Sequence, residues 1–137
     1  MLPPFSTDCL HITYRPDLDQ LAGRWLRSIS EAELQQGYAA LLQAARYHNC
    51  RHWLIDSRRR TNRSLNGPEW VVTEYLPRVQ AELGGTLCVC FLVLPSYLET
   101  LRDAAPAAPH GLVQFARFLD EGQANAWLAA RQARERA

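Results

Sequence analysis

The first strong pattern is an alternation: in "CLHITYR", Leu10, Ile12 and Tyr14 are separated by polar residues, the period of two expected of a strand with one buried face. Arg15 to Asp19 supply turn chemistry, and Leu21 to Arg27 can return as a second strand, so the chain opens as an antiparallel hairpin. The period then changes. Leu34, Tyr38, Leu41, Leu42 and Ala45 recur at helical spacing behind Ser30 and Glu33, which form a capping box at the helix start. "HWLID" is a short strand leading into an arginine-rich loop. Asn66-Gly67-Pro68 marks the entry to a second helix carrying Val72, Tyr75, Leu76, Val79 and Leu83 inward. Pro77 lies inside that helix and predicts a kink, because its nitrogen has no hydrogen to return to Thr73. Gly84 and Gly85 end it.

"TLCVCFLVL" is apolar on both alternating faces, which predicts a central strand covered by helices on both sides. Ser96 with Glu99 caps a short third helix through about Arg102, and "DAAPAAPHG" is a connection. "LVQFARFLD" reads as the last strand. Asp120 with Gln123 caps a fourth helix whose Ala124, Trp127 and Leu128 share a face. The order is ββαβαβαβα. It predicts a single α/β domain of about five strands in a mixed sheet with about four helices, its later strands parallel through right-handed crossovers.

Composition narrows the setting. The chain has 137 residues and is 47% hydrophobic, which suits one packed domain. Its longest apolar run, Leu87 to Leu94, is eight residues, whereas a membrane-spanning helix needs about 20. The opening residues lack a basic segment followed by an apolar one, so a soluble, cytoplasmic protein with no integral membrane segment is expected. The net charge of +1 sets up no global field toward nucleic acid. Cys9, Cys50, Cys88 and Cys90 show neither a disulfide framework nor paired zinc spacing, and are expected as reduced thiols.

Charge is nevertheless uneven. All fifteen basic side chains are arginine, and Arg51, Arg58, Arg59, Arg60 and Arg63 fall within a segment that holds one acid, Asp56. In open α/β sheets ligands bind beyond the carboxyl ends of parallel strands, where helix N-termini also point. Arg58, Arg59, Arg60 and Arg63 leave one such strand end, and Ser96 and Tyr97 leave another. Together with Trp70 as an apolar wall, they form a candidate site for an anionic or lipidic ligand. The competing reading is a solvated loop whose exposed ion pairs contribute about 0 to 1 kcal/mol each. His48, Cys50 and His52 in "HNCRH" straddle a helix end and a strand start, which turns them apart, so no metal is expected. The chain has no G-x-S-x-G elbow and no glycine-rich phosphate loop, so no catalytic residue and no cofactor are assigned, and an enzyme of unknown reaction ranks as the third reading, behind a regulatory or protein-interaction module and a binder of a small anionic or lipidic ligand.

The order of elements resembles the STAS and anti-sigma-factor antagonist fold, and more closely a set of bacterial STAS-like proteins. "ITYRPDLDQLAGRW", "HWLIDSRRR", "EWVVTEYLPRV" and "VQFARFLDEGQANAWL" carry the resemblance, which covers roughly residues 9 to 130. It implies a non-enzymatic regulatory module that works by contact with a protein partner or a second copy of itself. In phosphoswitch members of that family a serine in an Asp-Ser motif, at the start of the helix after the strand matching "HWLID", is phosphorylated. Here Ser64 is nearest by position, with Arg63 in place of the acid, and Asp56-Ser57 supplies the dipeptide earlier in the chain. Ser64 and Ser57 are the phosphorylation candidates this implies.

Overall fold

In the computed structural model, residues 4–60, 70–96 and 111–136 are described. They form one five-stranded sheet with strand order β1-β2-β3-β4-β5: β1 (Leu10–Arg15), β2 (Gln20–Trp25), β3 (His52–Asp56), β4 (Leu87–Leu92) and β5 (Val113–Phe118). β1 and β2 are antiparallel, while β2, β3, β4 and β5 run parallel. The α/β class, the opening hairpin and the mixed five-stranded sheet therefore match the sequence pattern.

Helix α1 (Glu31–His48) begins where the sequence places it. The Glu33 N–H donates to Ser30 Oγ at 3.2 Å and the Ser30 N–H donates to Glu33 Oε1 at 3.0 Å, so both arms of the capping box are made. Arg27 clamps the same carboxylate from outside with two bonds of 3.2 and 2.7 Å. The helix ends at Asn49, whose left-handed backbone, φ 51°, turns its N–H back onto the Ala45 and Arg46 carbonyls. Asparagine tolerates that conformation better than most residues with a side chain.

The second helix departs from the pattern around Pro77. A π-helical stretch, Val71–Tyr75, runs into α2 (Leu76–Leu83), with the Leu76 N–H bonded to the Val71 carbonyl five residues back. Proline cannot continue the i→i−4 ladder, and the wider turn just before it absorbs the break that the sequence pattern predicts as a kink. The last helix, α3 (Glu121–Arg136), starts after Asp120, whose Oδ2 accepts the Gln123 N–H at 3.2 Å. Three helices are thus present among the described residues rather than about four. The helix expected from Ser96 to about Arg102 lies outside them beyond Ser96.

Two apolar layers flank the sheet. On one face α1 contributes Leu34, Tyr38 and Leu41, and α2 contributes Leu76 and Val79, against Leu21, Trp25, Trp53, Ile55 and Val89. On the other, Ala124 and Leu128 of α3 cover Leu54, Cys88, Cys90 and Leu92. Side chains of successive strand residues point to opposite faces, so Trp53 to Ile55 of β3 and the whole of β4 need apolar residues in succession to serve both layers. β4 is accordingly buried throughout. The edge strand β1 is blunted by the segment before it. Ser6 Oγ bonds the Ile12 N–H at 2.9 Å and Thr7 Oγ1 bonds the Leu10 N–H at 3.1 Å, which occupies groups an incoming strand would need.

Candidate functional site: a guanidinium and carboxylate cluster at the strand ends

The parallel strands end together, and their register puts Arg24 opposite Asp56, Asp56 opposite Leu92, and Leu92 opposite Phe118. Leu92 belongs to the layer beneath α3, so Arg24 and Asp56 lie on that face as well. α3 enters above the same strand ends, which brings Glu121 into the row. Local alternation explains the arrangement: in "QLAGRW" Leu21 and Trp25 serve the α1 layer, and the intervening positions Ala22 and Arg24 turn toward α3.

Four charges interlock there. Arg24 Nη1 donates to Asp56 Oδ2 at 2.9 Å and to Glu121 Oε1 at 2.8 Å, tying β2 to β3 and to the first turn of α3. Arg58 grips Asp56 with both prongs of its fork, Nε to Oδ1 at 3.0 Å and Nη2 to Oδ2 at 2.9 Å, while its backbone N–H donates to Oδ1 at 3.1 Å. Arg58 Nη2 also stands 3.7 Å from Glu121 Oε1. Asp56 therefore accepts four hydrogen bonds, about the full capacity of a carboxylate. Burial pushes its pKa up, but the bonds from Arg58 and Arg24 outweigh that and hold the carboxyl below its ordinary value. Arg24 and Arg58 are raised, Arg24 first by its bond to Glu121 and Arg58 first by its bond to Asp56, so the two guanidiniums and the Asp56 carboxylate favour their charged forms together.

Beside this cluster opens a pocket of about 320 Å³, lined by His11, Arg24, Trp25, Leu26, Asp56, Arg58 and Arg59. His11 reaches it because β1 pairs it directly with Arg24. Arg58, Arg59 and Arg60, adjacent in sequence, have three different surroundings. Arg58 is bound to Asp56, Arg59 is exposed at the pocket, and Arg60 is buried with its guanidinium 5.4 Å from the centre of the Trp25 ring. A stacked arginine of that kind anchors the loop onto the core.

The other expected site residues are dispersed. Ser57 is buried, and its N–H bonds the Leu92 carbonyl at 2.9 Å. Trp70 packs on the opposite face of the sheet, its ring centre 6.1 Å from that of Tyr38 and 5.4 Å from that of Tyr75. Ser96 is exposed and does not line the pocket. Arg63, Ser64 and Tyr97 lie outside the described residues. In "HNCRH", His48 stacks on Tyr14 with ring centres 4.1 Å apart, whereas Cys50 and His52 are buried. Burial pushes the Cys50 thiol up to about 11.

Sequence reasoning does not single out Arg24, His11 or Glu121 for this site. The signal for Arg24 is a charge at an inward-alternating strand position, but its significance depends on which strands become neighbours. Comparison of the chain with protein-family models, with curated proteins and with solved structures returns no match.

Proposed function

We propose that the chain is a non-enzymatic, STAS-like binding module whose ligand is a small anion, or an anionic group of a partner, received at the strand-end pocket. The observation that carries this reading is the convergence of Arg24, Arg58 and Arg59 on one pocket at the carboxyl ends of parallel strands. The STAS-like part is supported by strand order following chain order, with the first pair antiparallel and the next three pairings parallel. A regulatory role through a protein partner or a second copy is what that resemblance adds, and a cytoplasmic setting is what the sequence pattern adds.

The test is calorimetric titration of the full chain and of Arg59→Ala with inorganic phosphate and small organic anions. Arg59 is the cleanest probe because it is exposed and lines the pocket, so its loss spares the Asp56 cluster. Saturable binding that Arg59→Ala weakens supports the reading. Absence of any Arg59-dependent binding removes it. The phosphoswitch is tested separately by the mass of protein purified from its own host and denatured, where the added mass of a phosphoryl group on a peptide containing Ser57 or Ser64 is the expected sign.

A further inference from the structure

We infer that the pocket is specific for a singly charged organic carboxylate, an inference that rests on the anion reading above and narrows it to one chemical class. The argument begins with which hydrogen-bonding capacity is already spent. Asp56 accepts four bonds and has no lone pair left for a ligand donor. Arg24 uses only Nη1, which leaves Nε and Nη2 without a partner among the described residues. Arg58 uses Nε and Nη2, leaving Nη1, and the whole guanidinium of Arg59 is unbonded among the described residues. The wall thus offers several planar N–H donors, and its one carboxylate is saturated. A ligand that only accepts fits it best, since the His11 ring is the one other side chain on the wall able to accept a hydrogen bond.

Charge sets the second condition. Three guanidiniums, Arg24, Arg58 and Arg59, stand against two paired carboxylates, Asp56 and Glu121, with Asp120 also acting on Arg58 from further off, so the excess to neutralise is one positive charge at most. A carboxylate carries one negative charge and no proton at neutral pH. A phosphate monoester carries about −1.5 to −2, and in its monoanionic form an O–H that needs an acceptor. Glu121 shows the preference from within: a carboxylate oxygen of this chain already sits 2.8 Å from Arg24 and 3.7 Å from Arg58. Size and surface set the third condition. A volume of about 320 Å³ is at the small end of ligand sites, and Leu26 gives the ligand body an apolar contact.

The experiment titrates the full chain with three probes that share a ring: benzoate, phenyl phosphate and the uncharged methyl benzoate. Benzoate is expected to bind saturably, phenyl phosphate at least about tenfold more weakly, and methyl benzoate not at all. Arg59→Ala is expected to weaken benzoate about tenfold, as for loss of a charge-assisted hydrogen bond. Leu26→Glu, which plants a carboxylate at the pocket wall, is expected to abolish binding. A short acetylated peptide with a free C-terminus, set beside its amide, distinguishes a peptide end from a free organic acid as the source of the carboxylate. Preference of the site for the peptide acid over benzoate identifies the former. Arg59-dependent binding of phenyl phosphate as tight as that of benzoate overturns the carboxylate inference and leaves the anion site standing. Failure of every anion to bind in an Arg59-dependent way overturns both.

Discussion

Gly37 sits in the middle of α1, where alanine is ordinarily the better residue by about 1 kcal/mol. Gly37→Ala is nevertheless expected to destabilise this protein. A Cβ built at that position would lie 2.4 Å from Cη2 and 2.9 Å from Cζ3 of Trp25, and 3.1 Å from Cδ2 of Leu10. Comfortable carbon contacts begin at about 3.5 Å, so the ring would have to retreat by roughly 1 Å. It has nowhere to go. Trp25 is 1% exposed, Tyr38 meets it edge-on with ring centres 5.8 Å apart, and the Arg60 guanidinium lies 5.4 Å from its centre. Overpacking a filled core costs about 1 to 3 kcal/mol, and the depth of this overlap argues for the upper end. Subtracting the helix-propensity gain leaves a loss of about 2 kcal/mol, or about 1 M in urea midpoint for a slope of about 2 kcal/mol/M. The assay is equilibrium urea unfolding of wild type, Gly37→Ala, Trp25→Phe and the double variant. When Trp25→Phe has already shrunk the facing ring, the added methyl group should cost less than in wild type, giving a measurable coupling between the two sites. An unchanged or higher midpoint for Gly37→Ala alone would refute the packing argument.

Removal of the Asp56 carboxylate in Asp56→Ala leaves Arg24 and Arg58 with Glu121 as their shared partner. Their side chains are 37% and 38% exposed, so the expected loss is about 2 kcal/mol, between the surface and buried limits, read as a lowered thermal or urea midpoint. Stability is expected to fall in acid. Glu33 is lowered to about 2, first by its bond from Arg27, and Asp56 is also held below its ordinary value. A lowered carboxyl stabilises the fold above its unfolded pKa and loses that contribution as pH falls through the folded one, so the urea midpoint should decline from about pH 4.5 toward about pH 2. Glu33→Gln should flatten the Glu33 share of that decline, and an equally steep profile in the variant would count against it. The four cysteines are buried and free, and burial pushes Cys90 up to about 12, so native protein should react with a thiol reagent far more slowly than denatured protein. Rapid labelling of four thiols in the native state would contradict the buried assignment.

The elements themselves are legible in the sequence because their determinants are local. The capping box at Ser30 and Glu33, the alternation through Leu10, Ile12 and Tyr14, and the doubly apolar run ending at Leu92 depend only on periodicities of about 3.6 and about 2 and on backbone groups a few residues apart. The same local reasoning places the break at Pro77, but not its form. Whether a missing hydrogen bond becomes a bend or a π turn depends on what holds the flanking side chains, and here Val71, Tyr75 and Leu76 are all buried in the layer shared with α1.

The site is legible only in part, and for the opposite reason. The chain displays its arginine run at the end of β3, and Arg58 and Arg59 of that run line a pocket at the strand ends. It cannot show that three consecutive arginines divide into one paired with Asp56, one exposed and one buried over Trp25, because that division is set by what the folded sheet places around each of them. Arg24 and Glu121, 97 residues apart, meet only because parallel pairing of β2 through β5 aligns the strand ends and α3 enters above them. Strands, helices and the faces that must be covered can be read from the chain alone, since burial of apolar periodic faces is a local demand. Which charges meet is a property of the assembled fold, since a hydrogen bond of 2.8 Å requires a proximity that only the closed sheet and its docked helix create.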